Sequence, residues 1–104
     1  MNKIILLILL TVSTNVFADS EGFYNGEKLI TDIRSSHQGD NIYANGYILG
    51  VSDSNNELCI EGVVTGNQVT QITKNFLEKH PESWKYTASS LVMAALKEVY
   101  PCKK

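Results

Sequence analysis

Hydrophobic residues recur at helical spacing in four segments of the chain, and no segment shows the sustained alternation of a strand. The first segment covers residues 26–36, where three apolar side chains fall on one face. The last covers residues 83–100 and has apolar residues at i, i+3, i+4, i+7, i+8 and i+11 counted from Ala88. The pattern predicts an all-α domain of four helices, or five if a short extra turn is counted.

The second predicted helix, residues 40–52, is apolar nearly all round, with Asp40 as its N-cap. A helix of this kind should be central in the fold or shared with another chain. Beside Tyr47, Gly46 and Gly50 stand four residues apart on one face, where glycine lets another backbone approach at a cost of roughly 1 kcal/mol each. Packing within the chain and contact between two copies of the protein are both open interpretations.

The third predicted helix has the clearest start. Thr65 with Gln68 three residues later is the sequence of a capping box. The helix should end at His80, because Pro81 disfavours helical geometry in the residue before it. Residues 52–57, which precede it, are polar and rich in turn formers and therefore predict a loop.

The N-terminal residues have the pattern of a secretory signal peptide. An apolar run over residues 4–10 follows Lys3 and is too short to span a bilayer, and small residues occupy the specificity positions before Asp19. We predict cleavage after Ala18, which leaves a domain of residues 19–104. In a bacterium this product is expected in the periplasm, with no membrane anchor.

Composition narrows the function classes. Removal of Lys3 with the signal peptide changes the formal net charge from −2 to −3, and an acidic domain does not suit nucleic-acid binding, which needs a basic face. The sequence carries no metalloprotease, serine hydrolase or phosphate-binding motif. We therefore expect a protein that is not an enzyme and needs no cofactor. His80, at the end of the third predicted helix, is interpreted as a helix C-cap and not as a catalytic residue.

Cys59 and Cys102 are the two cysteines of the chain. Export would carry them into an oxidising compartment, so a disulfide is the expected state. On the chain-entropy model this bridge would stabilise the domain by about 4 kcal/mol. Two alternatives remain: a zinc site with His37 and His80, which lacks a close ligand pair, and a catalytic cysteine with its thiol free.

The chain after the signal peptide carries an ordered series of short motifs. They are residues 46–53 (GYILGVSD), Cys59-Ile60 with Glu61-Gly62-Val63, Thr65 with Gln68, residues 76–82 (FLEKHPE), residues 88–92 (ASSLV) with Ala95-Leu96, and Tyr100-Pro101-Cys102. This series resembles the Rap/Tai family of type VI secretion immunity proteins over most of the domain. The resemblance implies an all-α periplasmic homodimer that binds a papain-like cysteine amidase, an effector injected by sister cells to cut the cell wall. It also implies inhibition by covering the catalytic cleft, commonly with a protruding loop.

One departure from the family pattern concerns a second cysteine pair that relatives often carry. This chain has Ile33 and Ala44 at those two positions. We expect an apolar contact between the first two helices to replace the missing bridge.

Two segments are candidates for contact with the amidase, because both are predicted to protrude and neither is needed for helix periodicity. The first comprises Ser52, Asp53, Ser54, Asn55, Asn56 and Glu57, and the second comprises Glu82, Ser83, Trp84, Lys85 and Tyr86. Each could instead be an ordinary solvated loop, and Trp84 could simply cover the core. The candidates for dimer or helix packing are Gly46, Tyr47 and Gly50.

A function of a different class also fits these features. A small periplasmic acid-stress chaperone can be an all-α exported protein with one disulfide, and it loosens at low pH when its carboxylates are protonated. Another protein-binding module of the cell envelope is a further alternative. A neighbouring gene for a cysteine amidase would favour immunity, whereas acid-induced monomerisation would favour the chaperone.

Overall fold

The computed structural model describes residues 23–102, which form four α-helices and one short 3-10 helix. The elements are α1 (Gly26–Arg34), α2 (Gln38–Asp53), α3 (Gly66–Lys79), the 3-10 helix (Pro81–Ser83) and α4 (Ala88–Val99). Within the described residues, β-structure is limited to one isolated bridge between Asn25 and Thr87. The predicted all-α fold is confirmed, whereas the predicted signal peptide of residues 1–18 lies outside the described residues.

All four helices contribute to one apolar core. Its largest fully buried apolar side chains are Leu29, Ile30, Ile48, Leu77, Val92 and Leu96. Each such side chain contributes about 1.5–3 kcal/mol by leaving water. Helix α2 contacts the other three α-helices, as does each of the four, so these contacts alone do not single it out as the central helix. None of the described helices combines the length and the hydropathy needed to cross a membrane.

Ile33 in α1 and Ala44 in α2, the two residues expected to make an apolar contact, both lie at the core. Ala44 is fully buried in the core, and Ile33 is half-buried and packs against the same cluster. That this packing replaces a covalent bridge stays a prediction.

The start of α1 is bound to the turn that precedes α4. The Gly26 N–H donates to the Tyr86 carbonyl at 3.0 Å, and the Glu27 N–H donates to the Trp84 carbonyl at 3.1 Å. A Cβ at Gly26 would lie 2.8 Å from the Trp84 Cα and 2.5 Å from Leu91 Cδ1. Only glycine therefore lets the two segments approach this closely.

This contact explains why α4 begins later than the sequence predicts. The predicted start near Ser83 is wrong, because residues 81–83 form the 3-10 helix and α4 begins at Ala88. The carbonyls of Trp84 and Tyr86 accept hydrogen bonds from α1, so they are not used in a helical ladder. The 3-10 helix is the short extra turn allowed for in the prediction.

The junction between α1 and α2 also differs from the prediction. Helix α2 begins at Gln38 with His37 as its N-cap, so the prediction of Asp40 as the cap is wrong. Asp40 instead accepts a hydrogen bond from the Ser35 hydroxyl at 2.7 Å. The Asn41 side chain donates to carbonyl oxygens at the end of α1 at 2.9 to 3.3 Å, which closes α1 at Arg34 rather than near residue 36.

Helix α3 follows its prediction closely. Gln68 N–H donates to the Thr65 hydroxyl at 3.2 Å, and Thr65 N–H donates to the Gln68 side-chain oxygen at 2.8 Å. This is the predicted capping box. The helix ends at Lys79, with His80 as its C-cap immediately before Pro81.

Candidate interaction surfaces

The two cysteines form a disulfide that joins the α2–α3 connection to the end of the described chain. Cys59 and Cys102 are bonded through sulfur, with their Cα atoms 4.9 Å apart. The predicted disulfide is confirmed, and with both sulfurs oxidised neither a zinc site nor a cysteine nucleophile can use them. Among the described residues, no cluster of histidine, cysteine and carboxylate side chains could hold a metal ion.

Two further contacts hold the same connection, which we call the α2–α3 segment (residues 54–65), against α4. The Cys59 N–H donates to the Tyr100 carbonyl at 3.2 Å. Glu57 forms an ion pair with Lys97, with Oε1 and Nζ 2.5 Å apart. The hydrogen bond and the charge of Lys97 lower the pKa of Glu57 below its usual value.

The middle of the α2–α3 segment exposes apolar side chains. Val63 is 95% exposed and Ile60 is 39% exposed, and they flank Gly62, whose φ of 83° lies in the left-handed region that favours glycine. We call residues 60–63 the apolar tip; it also contains the exposed, charged Glu61, between Ile60 and Gly62. On either side, Leu58 and Val64 are half-buried against the core. The tip therefore projects between two anchored ends.

The first predicted candidate, residues 52–57, adjoins the apolar tip but is not entirely a loop. Ser52 and Asp53 belong to the last turn of α2, so the prediction of a loop at these two residues is wrong. The Ser52 hydroxyl donates to the carbonyl one turn earlier at 2.7 Å. The Asn55 side-chain oxygen accepts from the Glu57 N–H at 2.9 Å. These bonds order the polar segment locally.

The second predicted candidate, residues 82–86, divides into a buried and an exposed part. Trp84 is half-buried, its Nε1–H donates to the Leu77 carbonyl at 2.7 Å, and the Arg34 guanidinium lies 5.5 Å from its ring centre. Trp84 therefore covers the core. Tyr86 is exposed, with the Lys85 ammonium 5.4 Å from its ring centre.

The start of this second segment carries an exposed polar pair. The His80 ring lies 4.6 Å from the Phe76 ring, and its Nδ1 is 3.1 Å from a Glu82 carboxylate oxygen. The backbone N–H of Glu82 and the hydrogen bond with His80 lower the pKa of this carboxyl.

A third surface is the outer face of α2, formed by Gly39, Ile42, Tyr43, Gly46, Leu49 and Gly50. Ile42 is 62% exposed and Tyr43 is 58% exposed. No other part of the described chain comes within 4 Å of a Cβ built at Gly46 or Gly50. Packing within the chain therefore does not account for these glycines.

Tyr47 does not share this outer face. It is half-buried against the core, and its ring centre lies 4.7 Å from that of Tyr24. The Tyr24 hydroxyl donates to the Asp32 carboxylate, and burial and this bond raise the pKa of Tyr24 above its usual value. Tyr24 and Asp32 also line an open cleft of about 870 Å³ between α1 and the start of α2.

The sequence that forms these helices and surfaces matches a known protein family. A family model described as Rap1a immunity proteins matches residues 25–102, which include all four α-helices and both cysteines. The chain belongs to the Rap1a immunity protein family. A search of the curated proteins finds no match.

A Rap1a immunity protein acts against a secreted effector, and this role implies that it binds the effector protein. The resemblance drawn from the ordered motifs is thereby confirmed. Sequence reasoning missed Ile60, Val63 and Ile42 as surface residues of this family member. Ile60 and Val63, on the two sides of Glu61-Gly62 and between a cysteine and a helix N-cap, could have pointed to the apolar tip.

Proposed function

We propose that this Rap1a immunity protein binds a peptidoglycan amidase delivered by type VI secretion and blocks its active-site cleft in the periplasm. The observation that carries the proposal is the family match over residues 25–102, together with the motifs that resemble the Rap/Tai immunity proteins. Inhibition by covering a cleft requires no catalytic residue of the inhibitor and no cofactor. The protein is therefore an inhibitor and not an enzyme.

We assign the effector contact to the apolar tip. Exposed apolar side chains that project from a surface are typical of binding sites, and enzyme clefts are concave and mostly apolar. The disulfide and the Glu57–Lys97 ion pair hold one end of the α2–α3 segment, and the Thr65 capping box holds the other. A segment held at both ends loses less conformational entropy when it binds.

Capture of the amidase tests the class of partner. The tagged protein, recovered from the periplasm, is incubated with periplasmic extract, and the bound proteins are identified by mass spectrometry. We expect a cysteine amidase among them, and its activity on peptidoglycan should fall when the immunity protein is added. Recovery of other envelope proteins without an amidase would contradict the proposal.

The contact surface is tested by protection of cells that produce the captured amidase in the periplasm. Val63→Asp should reduce affinity by about tenfold or more, because it removes the most exposed apolar side chain of the tip and places a second carboxylate near that of Glu61. Val99→Asp is the matched control, since Val99 is an exposed valine outside the α2–α3 segment. Alanine substitutions across residues 52–57 and 82–86 compare the two sequence-predicted candidates. If Val63→Asp still protects the cells fully and one of the alanine sets loses protection, the effector contact lies in the segment that carries that set and not in the apolar tip.

We also propose that two copies associate through the outer face of α2. Ile42 and Tyr43 leave more than half of their side-chain surface exposed, although the Tyr43 ring also contacts Tyr24, and Gly46 and Gly50 leave room for a second helix backbone. A twofold dimer uses one self-complementary patch, as this face provides. Sedimentation should give a dimer for the wild-type protein and for Val63→Asp, and a monomer for Ile42→Asp. A monomeric wild-type protein would contradict the proposal.

Export is the remaining part of the proposal. We propose that residues 1–18 direct the chain to the periplasm and are then removed. The mass of the protein purified from the periplasm should correspond to a chain that begins at Asp19. A product that keeps residues 1–18, or that stays in the cytoplasm, would contradict this assignment.

A further inference from the structure

We propose that the Cys59–Cys102 disulfide makes effector binding depend on oxidation. In the oxidised protein the disulfide holds the apolar tip in its binding position, and reduction releases the tip while the four-helix core stays folded. This inference rests on the proposed function, because it concerns the surface assigned there to the effector.

The position of the disulfide separates it from the core. Cys59 and Cys102 are both exposed, and neither belongs to the buried cluster that α1 to α4 form. The apolar contacts that join the helices therefore do not pass through the sulfur atoms. Exposure also lets a dithiol reductant reach the bond.

The contacts that remain after reduction are noncovalent, and the ion pair among them lies at the protein surface. The Glu57–Lys97 pair is exposed on both sides, so solvent and salt screen it. One hydrogen bond from Cys59 to Tyr100 and the half-buried Leu58 stay next to it. On the other side the tip leads directly into the capping box at Thr65. The disulfide is thus the covalent restraint on the first end of the tip.

The reaction is ordinary thiol–disulfide exchange with a dithiol. One thiolate of the dithiol attacks a sulfur of the Cys59–Cys102 bond, which breaks as a mixed disulfide forms. The second thiol of the reductant then displaces the bound cysteine. Two electrons and two protons pass to the two cysteines, and the dithiol becomes a disulfide. A newly made, reduced chain would therefore not inhibit until it is oxidised.

The first test uses the immunity protein without any effector. The double variant Cys59→Ser/Cys102→Ser should keep the helical circular dichroism spectrum and a cooperative thermal transition above room temperature. The backbone amide of residue 59, a serine in this variant, should exchange its hydrogen about tenfold faster or more than the same amide in the oxidised wild-type protein, because its bond to the Tyr100 carbonyl opens locally. An unfolded double variant, or unchanged exchange at residue 59, would overturn the inference.

The second test measures binding to the amidase captured by the oxidised wild-type protein, with its catalytic cysteine replaced by alanine. The double serine variant should bind about tenfold more weakly or worse. Val92→Ala, a buried core substitution that lowers the melting temperature and leaves the disulfide intact, is the control and should bind within about twofold of wild type. A double variant that binds as well as wild type would overturn the redox inference alone. Failure of the oxidised wild-type protein to capture an amidase would overturn the proposed function instead.

Discussion

Gly26 and Gly46 differ in the space that surrounds them. A methyl group added at Gly26 would collide with neighbouring atoms, whereas one added at Gly46 would not. At Gly26 a Cβ would meet the backbone of Trp84 at 2.8 Å and 3.0 Å, which are distances that backbone atoms cannot relieve cheaply. At Gly46 no atom of the described chain beyond its chain neighbours and the adjacent backbone of its own helix lies within 4 Å of a Cβ. The sequence pattern predicted a close backbone approach at Gly46, paired with Gly50, and gave no sign of one at Gly26.

Alanine substitutions at these glycines should therefore have effects of opposite sign on stability. Gly26→Ala should lower the free energy of unfolding by about 1–3 kcal/mol, because it forces α1 away from the Trp84 turn. Gly46→Ala should raise it by up to about 1 kcal/mol in the monomer, because alanine is the better helix former. Urea unfolding in the Ile42→Asp background, which we expect to be monomeric, measures both. If Gly46→Ala lowered the free energy of unfolding as much as Gly26→Ala does, the open space described around Gly46 would be contradicted.

At the scale of the helix, α3 and α4 begin with the same residue type but not with the same interactions. Thr65 accepts a hydrogen bond from the Gln68 N–H and thereby satisfies one of the unpaired donors at the start of α3. Thr87 holds the equivalent position in α4, but its hydroxyl donates to the Ser90 hydroxyl and caps no backbone N–H. The two helix starts therefore differ in what the threonine contributes.

Replacing each threonine with alanine should reveal this difference. Thr65→Ala should cost about 1 kcal/mol of unfolding free energy, because the capping box is lost. Thr87→Ala should cost less than about 0.5 kcal/mol, because only an exposed hydroxyl pair is removed. Urea unfolding of the two variants under the same conditions compares them. A larger loss at Thr87 would contradict the hydrogen bonds described for α4.

The two helix starts also show which helix boundaries a sequence pattern can predict and which it cannot. The start of α3 is a local interaction between residues three apart, so the sequence predicted it correctly. The start of α4 depends on α1, which takes the carbonyls of Trp84 and Tyr86 as acceptors. Residues 83–100 alone do not show this contact with α1. The apolar periodicity therefore placed the start of α4 near Ser83, whereas the helix begins at Ala88.

For the molecule as a whole, the tyrosine cluster between α1 and α2 links stability to pH. Tyr24 contacts the rings of Tyr43 and Tyr47 at centre-to-centre distances of 5.2 Å and 4.7 Å and donates to Asp32. Burial, followed by the bond to Asp32, raises the pKa of Tyr24 above its ordinary value of 10.0. The folded protein therefore retains this proton at a pH where the unfolded chain releases it.

Stability should consequently fall as the pH rises above 10.0, the ordinary pKa of tyrosine. The contribution of Tyr24 is fully present below that pH and is lost progressively above it, because proton release then favours the unfolded chain. Tyr24→Phe should show a shallower alkaline decline in unfolding free energy, measured by urea unfolding from neutral pH to about pH 11. Tyr86→Phe, at an exposed tyrosine, is the control and should follow the wild-type decline. Parallel declines for wild type and Tyr24→Phe would contradict this assignment.

The sequence by itself determined the features that depend on neighbouring residues or on composition. The helical periods, the capping box at Thr65, the disulfide between the two cysteines and the family motifs all follow from local spacing or from the presence of a residue. Only the tertiary structure decided which surfaces stay uncovered, because exposure depends on segments that are distant in the chain. It packs the half-buried Trp84 against the core, leaves Gly46 and Ile42 on an open helix face, and projects Val63 from a segment tethered to α4. Those uncovered apolar surfaces are the ones on which the proposed contacts rest.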